Sequence, residues 1–370
     1  MSTLIKNAIL PELFATKEIP AGTVNVLIDG EAIASITPTN TTAPDADTSI
    51  DATGLYLTPG LIDTHVHLLE QGDLKKLANW GVTTVAELGT HPDSLIKELK
   101  ALPNLPTIIS AGTAATAQGS PQTEHMGFPK DSVVSGPDDA ERFIQWRIDN
   151  DADLIKIIVE DPNNPRNPGL DEATLTALVT SAHRHGLLTI AHAATVGSYN
   201  LALKAGVDIL THAPLEATLP ADLIEQIKTQ EKIVSPTIVM MQGFARALSS
   251  KKGPALDLSN TLDSVRALHQ AGVPIIAGTD ANTTPGSPSP VAHGESLHEE
   301  LELLTRAGLT PAEAIYAATT AAAKALRLND RGTLETGKRA DLTLFTADPT
   351  ADVANSRDIA QVWIGGEQVR

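Results

Sequence analysis

Six side chains carry the chemistry of this 370-residue chain. Two of them, His65 and His67, interrupt the apolar run Leu57-Thr-Pro-Gly-Leu-Ile-Asp-Thr-His-Val-His-Leu68. Residues i and i+2 of a strand point to the same face, so both imidazoles can converge on one ion. Imidazole is also the commonest protein ligand for metals. Lys156 lies inside the apolar segment Asp153-Leu-Ile-Lys-Ile-Ile-Val159, and His192 ends Leu187-Leu-Thr-Ile-Ala-His192. His212 ends Val207-Asp-Ile-Leu-Thr-His212, and Asp280 ends Ile275-Ile-Ala-Gly-Thr-Asp280. The sequence has no cysteine, which excludes disulfides and thiolate ligands. Any metal would therefore be held by nitrogen and oxygen donors.

The elements that must position these residues follow from the rhythm of the chain. Short β-branched runs alternate with amphipathic stretches, the pattern of parallel strands joined by crossover helices. Eight strands are expected, at Leu61–His65, Thr83–Leu88, Thr107–Ser110, Leu154–Val159, Leu188–His192, Ile209–His212, Ile233–Ser235 and Pro274–Gly278. Helices are expected at Glu172–His185, Pro220–Gln230 and Leu262–Ala271. Eight such units imply an α/β fold, a (β/α)₈ TIM barrel over residues 58–330, with its active site at the strand C-terminal ends. The six residues above fall at those ends. One of them alone could be a satisfied core residue; six together point to a site.

Both chain ends read differently. Val24–Ile28 and Ala32–Ile36 flank Asp29-Gly30, a hairpin signal, and Thr37–Asp47 reads as a solvated loop. Ala340–Phe345 and Gln361–Ile364, followed by Gly365-Gly366, continue in the same style. Neither end is long enough to bury its own core, so residues 1–57 and 331–370 are expected to combine into a small β-sandwich domain. Two long loops, Gly112–Gly136 and Ala281–His293, would lie on the catalytic rim as lids or specificity loops.

A hydrophobic content of 42% with 19% charged residues is that of a folded protein. Aromatic residues are only 3%, so the core must be built from Ala, Val, Ile and Leu. The formal charge of −18 argues against nucleic acid or an anionic membrane as partner, because its field repels phosphate. Met1-Ser-Thr-Leu-Ile-Lys-Asn7 has no long apolar core and no stretch approaches a membrane span, so a cytoplasmic location is expected.

The whole set resembles the amidohydrolase superfamily, in the binuclear form bridged by a carboxylated lysine. The resemblance rests on Pro59-Gly-Leu-Ile-Asp-Thr-His-Val-His67, on Gly278-Thr-Asp280 and on Gly332-Thr-Leu-Glu-Thr-Gly-Lys-Arg-Ala-Asp341. His293-Gly-Glu-Ser-Leu-His-Glu-Glu-Leu-Glu-Leu-Leu304 and Ala307–Ala314 narrow it to the imidazolonepropionase-like, Xaa-Pro dipeptidase-like and ochratoxinase-like branch. The resemblance implies that His65, His67 and Asp280 hold a buried divalent ion and that His192 and His212 hold a more exposed one. Lys156 would bridge them as a carbamate formed with carbon dioxide. A protonated lysine has no lone pair, and burial favours the neutral amine that this reaction needs; the alternative for Lys156 is an ion pair with a carboxylate. Two such ions, about 3.5–4 Å apart, share a hydroxide that attacks the substrate carbonyl. Asp280 shuttles the proton to the leaving group. Zinc suits the donor set, with manganese or cobalt as alternatives.

The implied function is hydrolysis of an amide, lactam or peptide-like C–N bond in a small molecule, by an enzyme of a kind that often forms homo-oligomers. An ester, lactone or organophosphate hydrolase on the same site is the alternative. A mononuclear deaminase is disfavoured because Ala-Ala-Thr, and no glutamate, follows His192. A metal-free scaffold is disfavoured because every ligand position is filled. His125, Tyr199 and His293 are candidate substrate contacts, although the segment around His125 departs from the Gly-Gly-His-Gly-like pattern of the branch. His183, His185, His269 and His298 are expected at the surface. Only Arg166 and Arg246 lie near the long loops, so no carboxylate clamp is evident.

Overall fold

The strand that carries His65 and leads directly into His67, Leu61–Val66, follows Tyr56–Pro59 after a single residue, Gly60. A Cβ at Gly60 would lie 2.2 Å from Thr83 Oγ1, so only glycine permits this approach of two strands. The computed structural model describes residues 2–164, 167–249, 257–283, 287 and 289–370.

Leu61–Val66 pairs in parallel with Val82–Glu87, and that strand with Thr107–Ser110. A second parallel run joins Ile155–Ile158, Thr189–His192, Ile209–Thr211 and Ile233–Ser235 in that order. Nearly all of these residues are buried, as expected for parallel strands covered on both faces. The connecting helices are amphipathic. Glu172–Arg184 starts at Asp171, whose side chain accepts from Thr174 N at 2.8 Å. It buries Leu175, Leu178, Val179 and Ala182, at i, i+3, i+4 and i+7. Each buried leucine contributes about 1.5–3 kcal/mol. The expected helices at 220–230 and 262–271 correspond to Ala221–Thr229 and Ser259–Ala271.

Two expectations change. Residues 274–278 form no regular strand; Ile275 makes an isolated parallel bridge to Val234. Their segment is nonetheless hydrogen-bonded on both sides, from Ile276 N to Val234 O at 3.0 Å and from Thr64 N to Ala277 O at 3.0 Å. Pro274 lacks a donor and Asp280 has φ 57°, which breaks the ladder at both ends. The Gly112–Gly136 stretch is also more ordered than a free lid. It holds a helix at Pro121–Glu124, and it bridges Ala115 to Ile157 and Thr116 to Val133.

Strands from both chain ends share one eight-stranded sheet. Ser2–Leu10 pairs antiparallel with Gly22–Asp29, which pairs with Ala32–Pro38. Leu342–Phe345 runs antiparallel to Tyr56–Pro59 and to Ile359–Ile364. The C-terminal strands therefore dock on the residues that lead into the first buried strand. No helix among the described residues is long and apolar enough to cross a membrane.

Candidate metal centre

The strand ends bring His65, His67, His192, His212 and Asp280 into one cluster. His67 Nε2 lies 3.0 Å from Asp280 Oδ1 and His65 Nε2 lies 3.5 Å from the same oxygen. One potential ligand atom from each of the three lies within 4.8 Å of the others. The other carboxylate oxygen of Asp280 faces His212 Nδ1 at 4.0 Å. The rings of His192 and His212 are 4.4 Å apart, and those of His65 and His212 are 5.2 Å apart. Lys156, only 3% exposed, donates from Nζ to Thr211 Oγ1 at 3.0 Å, one residue before His212.

Burial sets the charge states. It pushes His192 down to about 4, with Lys156 adding to the effect, and holds His65 and His212 well below the usual imidazole value. Neutral imidazoles offer lone pairs, which a cation requires. Burial also brings Lys156 down to about 7 against the pull of Asp280 and Glu87, so a substantial neutral fraction exists near neutral pH. The donor set fits a divalent cation in a more direct way. His212 Nδ1 is 2.8 Å from Thr237 Oγ1, a geometry that suits donation from Nδ1–H, and the opposite atom, Nε2, is buried without a partner. His65 Nδ1 is buried without a partner as well. Buried imidazole nitrogens with no partner among the described residues are what an ion would satisfy.

The backbone is held in unusual conformations at these strand ends. His212 has φ 74°, Asp280 φ 57° and Thr237 φ 46°, the left-handed region in which each such residue costs about 1–3 kcal/mol. Specific bonds hold them there. The Tyr199 hydroxyl donates to the His212 carbonyl. Asp280 N donates to His65 O at 2.8 Å, and Asn282 Nδ2 donates to Asp280 O at 2.9 Å. Gly278 completes the floor, since a Cβ there would come within 2.5 Å of Ser235 Oγ.

Three of the expected contacts are placed differently. Tyr199 is fully buried behind His212, so it braces the cluster and does not face open space. His293 is also buried; its Nε2 donates to His67 O at 2.8 Å and its Nδ1 lies 3.3 Å from Asp73 Oδ1. It therefore anchors the residue after the first strand and has no surface to offer a substrate. His298, expected at the surface, is fully buried, with Nδ1 2.9 Å from Ser356 Oγ and Nε2 3.1 Å from Trp80 O. His125 is exposed at the end of Pro121–Glu124, beside the exposed Met126. His183, His185 and His269 are partly exposed, as expected. Arg246 is exposed, and Arg166 falls outside the described residues.

Two buried carboxyl groups escaped the sequence reading. Asp63 accepts from His65 N at 3.2 Å, Thr279 N at 3.0 Å and Thr279 Oγ1 at 2.7 Å. It thus ties the histidine strand to the aspartate segment, and burial raises it to about 7. Its position two residues before His65 in an apolar run was the available signal. Glu87, at the end of Val82–Glu87, accepts from Gly89 N at 2.7 Å, from Thr90 N and from Ser110 Oγ at 2.5 Å.

Comparison with known proteins decides the family. The model of the amidohydrolase family matches residues 56–369. The chain belongs to the amidohydrolase family. It is 32% identical over 199 residues to the imidazolonepropionase of Deinococcus deserti, a match covering 52% of this chain and 44% of that protein. The match thus spans less than half the length of that curated relative. In fold it is similar to a Xaa-Pro dipeptidase crystallised with methionine in its active site, with TM-score 0.83, 24% identity and 100% and 99% of the two chains covered. It is likewise similar to the ochratoxinase of A. niger, with TM-score 0.81, 20% identity and 99% and 95% covered. Proteins named in the expected branch thus recur among these matches, the two solved structures as likenesses of fold. Members of the family are hydrolases that act on small molecules with the help of divalent metal ions, and the His65–His67–Asp280 cluster fits that chemistry.

Proposed function

We propose that this amidohydrolase is a binuclear enzyme that cleaves an amide, lactam or peptide-like C–N bond. The gathering of four histidines and Lys156 around the two oxygens of Asp280 carries this reading. His65, His67 and Asp280 would hold one ion, His192 and His212 the other, and Lys156 would bridge them as its carbamate. That group forms when the neutral amine adds to carbon dioxide and releases one proton, and the fall of Lys156 to about 7 favours it. Two divalent ions, zinc for this nitrogen and oxygen set or else manganese or cobalt, would supply Lewis acidity and a hydroxide at neutral pH.

The chain's own residues do the rest. Asp280 faces both histidine pairs, accepts a proton on a carboxylate oxygen and returns it to the leaving nitrogen. His65 and His212, neutral because they are buried, do not compete for that proton. The bonds on both sides of residues 274–281 support a closed (β/α)₈ barrel over residues 58–330, with 1–57 and 331–370 as a composite β domain. An ester or lactone would be attacked by the same nucleophile, so the substrate classes must be compared directly.

Metal analysis of replete protein tests this. Two equivalents are expected, falling to one in Lys156→Ala with loss of hydrolysis. Full metal content and full activity in that variant would remove Lys156 from the site. A parallel screen of N-acyl amino acids, Xaa-Pro dipeptides, lactams and aryl esters should show C–N substrates turned over faster than esters.

A further inference from the structure

Glu87 is fully buried and its hydrogen bonds come from neutral donors, an arrangement that is costly unless the carboxylate has a task. It sits at the end of the second parallel strand, paired with Val66, the residue before His67. Three donors converge on it: the backbone of Gly89 and Thr90, and the hydroxyl of Ser110 from the third strand. Those bonds fix where the carboxylate points. Its Oε1 lies 4.0 Å from His67 Nδ1, while His67 Nε2 lies 3.0 Å from Asp280 on the other side of the ring. The same turn braces the neighbouring backbone, since Leu68 N donates to Thr90 Oγ1 at 3.0 Å. Gly89 leaves room for the ring: a Cβ there would lie 3.1 Å from His67 Cε1.

We infer that Glu87 is a positioning residue that holds the His67 proton on Nδ1 and so turns the Nε2 lone pair toward the Asp280 cluster. A neutral imidazole has one proton for two nitrogens; an ion held with Asp280 would take the Nε2 lone pair and leave the proton on Nδ1, where Glu87 is the facing carboxylate. The separation of 4.0 Å is longer than a direct hydrogen bond, so the carboxylate acts on the ring through its charge. A carboxylate behind a ligating histidine raises its basicity and fixes its orientation, and losing one lowers metal affinity about 10- to 100-fold. His212 uses a neutral hydroxyl, Thr237, for the same purpose, so the two halves of the cluster differ in the charge behind them.

This role rests on the proposed metal centre, and the test separates the two. Metal-free full-length protein is titrated with Zn²⁺ against a chromophoric chelator, and its melting temperature is recorded without metal. Glu87→Gln keeps the shape and an oxygen for the Gly89 and Thr90 donors but removes the charge. The expected result is an affinity for one ion lowered about 10- to 100-fold, the other ion unaffected, and a melting temperature of the metal-free protein close to wild type. A merely structural role would lower the melting temperature and leave the folded variant's affinity unchanged, and that outcome overturns the inference. If Glu87→Gln does not fold, Ser110→Ala is measured in its place. It keeps the carboxylate but removes one of its three donors, and it should weaken the same ion about threefold; no change overturns the role. Wild-type protein that takes up no Zn²⁺ overturns the metal centre and this role together, whereas uptake that Glu87→Gln leaves unchanged overturns the role alone.

Discussion

The two halves of the proposed metal centre are built differently. His65 and His67 meet a single oxygen of Asp280 at 3.5 and 3.0 Å; the buried Glu87 faces the back of the His67 ring, and Asp63 holds the His65 backbone N–H. In the other half, His212 Nδ1 lies 4.0 Å from Asp280, its ring 4.4 Å from that of His192, and both nearby hydroxyls serve His212, Thr237 at its ring and Tyr199 at its carbonyl. Acids behind ligands increase their basicity, whereas hydroxyls only orient them. The first half is therefore expected to hold its ion more tightly, and the second to exchange its ion and meet substrate. A chelator series should remove the ions in two steps.

Asp280 belongs to both halves, so Asp280→Asn should have the largest effect. It is expected to lower kcat about a thousandfold and weaken both ions, as measured by turnover and metal content. Selective loss of one ion would mean that the aspartate serves only one half. Tyr199→Phe should act on the hydroxyl-backed half alone. It removes the hydroxyl that donates to the His212 carbonyl and costs about 1–3 kcal/mol of stability. Its weaker ion should dissociate more readily while the tighter one stays, and equal weakening of both would erase the distinction between the halves.

The smallest effect concerns pH. Glu300 accepts from Ile238 N at 3.0 Å and Val239 N at 2.7 Å, directly after the strained Thr237 that orients His212. Burial raises Glu300 from 4.5 to about 8. A carboxyl raised on folding contributes stability that is complete below its unfolded value and lost as pH rises through the folded one. Metal-free protein should therefore melt at progressively lower temperature as pH goes from about 4.5 to about 8. Glu300→Gln should flatten that slope. A slope unchanged in the variant would show that other groups set it.

The six candidate ligands were legible because strand alternation and strand ends are local properties. His65-Val-His67 shares a face by the period of the strand alone. Five of the six came together within the cluster as expected, and Lys156 reached it through Thr211. Glu87 was not legible, because a glutamate ending a strand carries no signal until Ser110, 23 positions away, is beside it. Tyr199 and His293 were misjudged for a related reason. Proximity in sequence to a strand end places a side chain near the site without saying whether it faces the cleft or the wall behind it. His298 reads as surface in His298-Glu-Glu300, yet both His298 and Glu300 are buried, each satisfied by segments distant in sequence.

The sequence by itself determined the α/β alternation, the nitrogen and oxygen donor set and the family, since these depend on residue type and short spacing. The tertiary structure alone decided which nitrogens face Asp280, how far burial neutralises Lys156 and the histidines, and which groups stand behind each ligand. Those properties arise from contacts between strands tens to hundreds of residues apart. Distance and desolvation, which set the strength of each electrostatic interaction, exist only once the chain has folded.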